Sequence, residues 1–272
     1  MKHVLWIGGP PAAGKTTIAM TLARRYGLRL YSADTHTWMH RDRALAAGNP
    51  AAHRWEGMTP AARWERSTPA EMLEMSLHRE RGAMVIDDLR ALPDSPLVIA
   101  EGSTLPASAI SSGFAERSNT VWLVPTAGFQ RRALAVAGVA PGPRRLYALL
   151  RELIEREAIE HGVPTLAVDG SLNAAEMVES VERRFRAAFV AGPHAETLAE
   201  RQTLLREIND NTVRQILGYY ARPWANGDPG TASRSFVCEC GDPACDVDVT
   251  LTVLEASSGT VLAPFHRREE PA

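Results

Sequence analysis

A compact apolar run from His3 to Ile7 stops at Gly8-Gly9-Pro10-Pro11. From Thr16 to Tyr26, Ile18, Leu22 and Tyr26 recur at helical spacing, and Gly27 ends the pattern. A short continuous run suits a strand buried on both faces, whereas a three-to-four spacing suits a helix with one buried stripe. The opening of the chain therefore predicts strand, loop and helix, and Leu28 to Ala33 predicts a second strand that delivers Asp34 at its end. From Thr35 to about Leu92 the pattern is helical and rich in Arg, His and Trp, with breaks at Gly48-Asn49-Pro50 and around Thr59-Pro60.

Two apolar runs compete to be the third strand, Ala83 to Asp88 and Pro96 to Gly102. Both cannot be parallel strands, because a crossover between parallel strands needs about a dozen or more residues. The second run is bounded by Pro and Gly, and Met75, Arg79, Ala83, Ile86 and Leu89 suit a helix leading into it. The second run is the strand on this reading, and Asp87 and Asp88 fall on an exposed helical face. Thr120 to Val124 predicts a fourth strand and Val163 to Val168 a fifth, separated by a Gly/Pro break at Gly138 to Pro143 and a helix from Arg144 to His161. Leu172 to Ala191 is a further amphipathic helix. Strands alternating with helices predict an α/β fold, a doubly wound parallel sheet, over residues 1–192.

After Gly192-Pro193 the character changes. Ala195 to Tyr220 reads as a polar helix carrying Leu198, Leu205, Ile208 and Ile216, so residues 193–226 form a connecting helical segment. Phe236-Val237, Val247 to Leu254 and Thr260 to Phe265 predict a small β-rich module over residues 227–272.

Composition narrows the function classes. With 272 residues, 45% of them hydrophobic, the chain can bury a sizeable core, and a formal net charge of -2 gives no global basic field for nucleic acid or an anionic membrane. No apolar stretch approaches the roughly 20 residues of a membrane helix, and the apolar start is too brief for a secretion signal. The expectation is a soluble, cytoplasmic protein with no membrane partner. Lysine occurs only at Lys2 and Lys15, which makes the setting of Lys15 informative.

That setting is Gly9-Pro10-Pro11-Ala12-Ala13-Gly14-Lys15-Thr16, which follows the pattern Gly, four residues, Gly-Lys-Thr between a predicted strand and a predicted helix. Glycines let successive backbone amides turn around phosphate oxygens, and the helix N-terminus adds its positive dipole end. In such a loop Lys15 bridges the β and γ phosphates of a nucleoside triphosphate and the Thr16 hydroxyl holds magnesium. The nucleotide-binding set is then Gly9, Pro10, Pro11, Ala12, Ala13, Gly14, Lys15, Thr16 and Thr17, to which Arg132 after the fourth strand is added, with ATP as the expected nucleotide.

With this loop the chain resembles the P-loop small-molecule kinases, the group that includes adenylate, shikimate and gluconate kinases and the chloramphenicol phosphotransferases. The resemblance spans about the first 190 residues, and its specific part is the loop. In that group a carboxylate ending the second strand often acts on the acceptor hydroxyl or on magnesium, and Asp34 matches that position. Asp34 also suits a helix N-cap. Glu101, ending the third strand, is expected to join Thr16 on magnesium or to orient water, although the group often carries Asp there; a surface residue at a strand end is the alternative. Arg131 and Arg132, near the group's lid, are expected to neutralise charge on the transferred phosphoryl group, with a solvated helix face as the alternative. The segment Thr35 to Arg43, followed by Trp55 and Trp64, lies where the group seats its acceptor; Trp with Arg can stack on a ring and clamp an anion, or can simply pack a helical subdomain.

Cys238, Cys240 and Cys245 lie in one short segment, Cys238-Glu239-Cys240-Gly241-Asp242-Pro243-Ala244-Cys245, where Gly and Pro permit a tight fold. A clustered, odd set suits a metal site better than a disulfide framework, and His266 can add an imidazole to the three thiolates to close a tetrahedral zinc site. Free thiols are the alternative. Together these readings predict an ATP- and magnesium-dependent kinase, with Lys15, Asp34 and Arg131 catalytic, acting on an unidentified small-molecule acceptor. The other reading is a nucleotide-dependent regulatory ATPase that recruits protein or nucleic acid through the C-terminal module.

Overall fold

The computed structural model describes residues 1–266. In chain order, β1 (Val4–Gly8), α1 (Lys15–Tyr26) and β2 (Arg29–Ser32) lead into the helices α2 (Thr37–Ala46), α3 (Pro50–Gly57), α4 (Pro60–Glu65), α5 (Pro69–Ser76) and α6 (His78–Ala91). There follow β3 (Val98–Gly102), β4 (Thr120–Pro125), α7 (Ala127–Val136), α8 (Pro141–Glu160), β5 (Thr165–Val168), α9 (Ala174–Ala191) and α10 (Leu198–Tyr220). The tail consists of β6 (Ser233–Val237), β7 (Asp248–Thr252) and α11 (Val253–Ser258).

Five parallel strands form one sheet in the order β2-β3-β1-β4-β5. Their uninterrupted apolar character follows from burial on both faces. On β1, Leu5 and Ile7 join the core beneath α1 and α9, while Val4 and Trp6 join the core beneath α5, α6 and α8. β3 and β4 repeat the alternation, with Ile99, Val121 and Leu123 on the first face and Val98, Ala100 and Trp122 on the second. The order of connections reverses around β1, which lies between β3 and β4; in open α/β sheets ligands bind at the carboxyl ends of strands at such a point.

The helical insertion breaks where proline demands it. Pro50, Pro60 and Pro69 each occupy the first turn of a helix behind a capping Asn49, Thr59 or Thr68, the position at which a missing N–H costs nothing. The run Ala83 to Asp88 is helical, as the spacing predicted. Its exposed-face reading fails for one residue. Asp88 is only 17% exposed and accepts hydrogen bonds from Tyr31 Oη at 2.8 Å, His40 Nε2 at 2.7 Å and Arg43 Nη1 at 2.8 Å, whereas Asp87 stays exposed. Helical periodicity places both aspartates outward; only the packing of α2 across α6 buries one of them.

The tail departs from its sequence reading in two places. Val253 begins α11 rather than continuing a strand, because Thr252 and Glu255 form a reciprocal capping box. Thr260 to Phe265 forms no strand and meets the end of β6 through the Glu239 amide, which donates to the Val261 carbonyl at 2.7 Å, and the Ala263 amide, which donates to Cys238 Sγ at 3.3 Å. β6 and β7 pair as a two-stranded antiparallel sheet. Two strands are marginal alone, and α10 supplies the missing packing: Ile216 joins Phe236, Val253 and Val261 in one cluster, while Leu205 and Ile208 join the main core with Val237. α10 is thus a shared wall between sheet and tail. Among the described residues no helix is long and apolar enough to cross a membrane.

Candidate functional site

The loop after β1 leaves the centre of the sheet at its carboxyl edge. Gly9 has φ +123°, and a Cβ there would lie 2.2 Å from the Leu123 carbonyl oxygen, so only glycine lets the loop start against β4. Ala12 and Gly14 also have positive φ, +64° and +80°. Residues of alternating hand curl main-chain amides into a concavity suited to an anion. In α1 the first amide to reach a carbonyl is that of Ile18, to Gly14 at 3.2 Å. The amides of Lys15, Thr16 and Thr17 belong to the unsatisfied first turn. Gln130, buried on α7, braces the loop by donating to the Pro11 carbonyl at 3.0 Å.

Lys15 is 5% exposed, and its ammonium donates to the Pro10 carbonyl at 2.8 Å and to Ser103 Oγ at 3.2 Å. Burial lowers its pKa, and the charges of Asp34 and Glu101 work the other way. Glu101 is fully buried and accepts from the Ser32 hydroxyl, while its Oε2 has no partner. Burial pushes its carboxyl up to about 7, Asp34 adds to the rise, and Lys15 with the hydroxyls of Ser32 and Thr16 opposes it. An orphaned oxygen on a buried carboxylate beside the Thr16 hydroxyl is a donor set suited to a hard divalent cation.

Lys15, Thr16 and Ser103 open on one cavity of about 1110 Å³, while Glu101 lies buried behind its lining. Its lining includes Pro11 to Thr17, Asp34 and Ser103 at the loop, and Trp38, Arg41, Trp55, Arg63, Trp64, His78 and Arg81 from the helical insertion. Asp34 is exposed and sits in a 3-10 turn, Ala33–His36, whose N-cap is Ser32; no capping bond from the Asp34 side chain is present. Its charge raises the pKa of Glu101 and of Tyr147 and stabilises the ammonium of Lys15, which places it among the site's titratable groups.

Arg131 and Arg132 are exposed on α7 and do not line the cavity; their neighbour Gln130 is the residue that reaches the loop. Gly9 and Pro10 sit behind the lining, with Pro10 holding Lys15. Trp38, Trp55 and Trp64 all line the cavity. Sequence reasoning missed Ser103, Arg63, Arg81 and Trp224. The abundance of Trp and Arg in the helical insertion was the available signal for the two arginines; nothing local marks Trp224, which arrives from beyond α10.

In the tail, Cys238, Cys240, Cys245 and His266 bring their ligand atoms within 4.8 Å of one another, close enough to hold a metal ion. His266 Nδ1 lies 3.4 Å from Cys238 Sγ and 3.6 Å from Cys245 Sγ. Tetrahedral zinc with its usual sulfur and nitrogen bond lengths separates such atoms by about 3.5 Å, so the donor set is compatible with structural zinc. The Ala263 amide donates to Cys238 Sγ at 3.3 Å, and Gln202 on α10 donates to the Cys240 carbonyl at 3.2 Å. Burial pushes the Cys240 thiol up to about 12, so metal binding there displaces protons.

Comparison with protein-family models finds no match to this chain, and comparison with curated proteins finds none.

Proposed function

We propose that the chain binds ATP with magnesium through the Gly9–Thr16 loop and transfers the γ-phosphoryl group to a small molecule held in the same cavity, in the manner of the P-loop kinases. The observation that carries this reading is the buried Lys15 ammonium, held by Pro10 and Ser103 at the mouth of a loop whose first-turn amides lack partners. A cation desolvated in this way is unfavourable unless an anion joins it. A triphosphate supplies that anion. The cavity, at about 1110 Å³, exceeds the usual range of about 300–1,000 Å³ for one ligand, which favours a donor and an acceptor together.

In this mechanism the amides of residues 12–17 and the Lys15 ammonium orient the phosphates and meet the charge that grows on them during transfer. Thr16 and Glu101 would hold magnesium, which supplies charge neutralisation on the phosphates. Asp34, on the cavity wall, accepts the proton of the acceptor hydroxyl. The proposal assigns no role to Arg131 or Arg132, which are exposed and do not line the cavity. It assigns the Cys238, Cys240, Cys245 and His266 cluster a structural zinc that closes a tail too small to fold on two strands.

The test is calorimetric titration of the wild type and of Lys15→Ala with magnesium-ATP, followed by a metabolite screen for stimulated ATP consumption. Binding to the wild type alone supports the reading. Equal affinity in the two proteins, or no binding to either, removes it.

A further inference from the structure

The cavity wall opposite in character to the loop is built from guanidinium and indole groups. Arg63 is 2% exposed, and its guanidinium carbon lies 4.6 Å from the Trp55 ring centre and 4.1 Å from that of Trp224. Arg41, 5% exposed, lies 4.7 Å from the same Trp55 ring. Stacking engages the flat faces of these groups and leaves the N–H edges in the plane still needing acceptors. One acceptor is present for each: Arg41 Nη2 donates to the Met75 carbonyl at 2.8 Å, and Arg63 Nε to the Trp55 carbonyl at 2.9 Å. Arg41 Nε and Nη1 and Arg63 Nη2 are buried with no partner.

The nearby carboxylates are already committed. Asp42 and Glu56 both pair with Arg222, and Glu56 also accepts from the Trp224 indole at 2.9 Å. Among the described residues neither Arg41 nor Arg63 makes an ion pair, and Arg81, also buried in the lining, donates to the Ala33 carbonyl and to Thr37 Oγ1 rather than to a carboxylate. Burial lowers the pKa of Arg41 to about 10, the Glu56 charge opposes that fall only in part, and Arg81, Arg63 and Arg222 press it further down, yet it stays charged at neutral pH. A protein gains nothing in stability from burying unpaired cations. Their retention in the wall of an open cavity is explained by an anion that arrives from outside.

We propose that Arg41 and Arg63 form the anion end of the acceptor subsite, and that the acceptor is a small molecule carrying a phosphate or carboxylate on an aromatic body. The subsite rests on the phosphotransferase reading for its role, while its chemistry stands on the geometry of the wall. The anion pairs with the Arg41 and Arg63 guanidinium groups, which carry three unpartnered nitrogens, and the body lies among Trp38, Trp64 and Trp224, which line the same cavity. A cationic or sugar-like acceptor fits this wall poorly.

Tryptophan fluorescence and thermal shift, recorded with phenyl phosphate, benzoate and uncharged phenol, test the proposal on the whole chain. One or both anions should bind and raise the melting temperature while phenol does not, and the stronger of the two identifies the anion class. Binding should persist in Lys15→Ala, which separates the subsite from the phosphate loop, and should weaken by about tenfold or more in Arg63→Gln. Phenol acting as strongly as the anions, or anion binding lost in Lys15→Ala, overturns the subsite. If Arg63→Gln does not fold, the wild-type contrast between the anions and phenol decides alone. Magnesium-ATP titrated into the same samples keeps the two ideas apart: intact nucleotide binding without anion selectivity removes only the subsite, and anion selectivity without nucleotide binding removes only the phosphotransferase reading.

Discussion

The Trp224 indole donates to the Glu56 carboxylate at 2.9 Å, joining segments 168 residues apart and bringing the stretch after α10 onto the helical insertion. The same indole ring faces Arg63 at 4.1 Å. Trp224→Ala removes both the hydrogen bond and the cation–π contact and should lower stability by about 2–3 kcal/mol, read as a shift in denaturation midpoint. Trp224→Phe keeps a ring and should lose roughly 1 kcal/mol. An unchanged midpoint for the alanine variant would show that this wall contributes little to folding.

Lys15→Ala should weaken magnesium-ATP binding by about 100-fold or more, because a charge-assisted contact to phosphate disappears. The same variant should melt at the wild-type temperature or above it, since the ammonium is 5% exposed, its hydrogen-bond partners Pro10 and Ser103 are neutral, and the charges of Asp34 and Glu101 offset its burial only in part. Calorimetry and melting on one preparation check both halves. Unfolding of the variant contradicts the assigned role.

Asp34→Asn should bind nucleotide much as the wild type does and lose about 10²- to 10⁴-fold in turnover, the usual contribution of a general base. Asp34 makes no capping bond, so its loss should leave the fold intact. Steady-state kinetics, once an acceptor is found, decide the matter; normal turnover would assign the proton to another group.

Asp88 predicts a dependence on acid. Burial raises its carboxyl pKa, but the hydrogen bonds from His40 and Tyr31 outweigh that and hold it below the usual value. A depressed folded pKa means that the stabilisation is complete above the unfolded value of about 3.9 and is lost as pH falls through the folded one. Asp88→Asn should therefore destabilise the chain by about 1–3 kcal/mol at pH 7, and the gap should close at pH values below about 3.9. A gap that is constant with pH would mean that the charge itself does not matter.

Native mass spectrometry should find one zinc ion per chain, removed in Cys240→Ser, and chelation should lower the melting temperature of the wild type alone. Structural zinc can supply about 10–16 kcal/mol of apparent folding free energy to a small module, so the tail should respond first, reported by amide exchange in β6 and β7. A metal-free wild type with an intact tail would contradict the structural role.

The succession of strands and helices was legible in the sequence because it depends on local periodicity. The apolar runs of β1, β3 and β4 and the spacing Ile18, Leu22, Tyr26 on α1 each record which faces are covered, whatever covers them. The Gly9 to Thr16 pattern and the clustering of Cys238, Cys240 and Cys245 were equally plain, since residues adjacent in sequence stay adjacent in space. His266 was within reach of the sequence reading only through its chemistry, and the structure sets it 3.4 Å from Cys238. Three things needed the tertiary structure: the burial of Asp88 under α2, the arrival of Trp224 beside Arg63, and the choice of Gln130 over Arg131 at the loop. Each depends on contacts between segments far apart in the chain. Periodicity carries no record of such contacts, because it reports that a face is buried and not what lies on the other side.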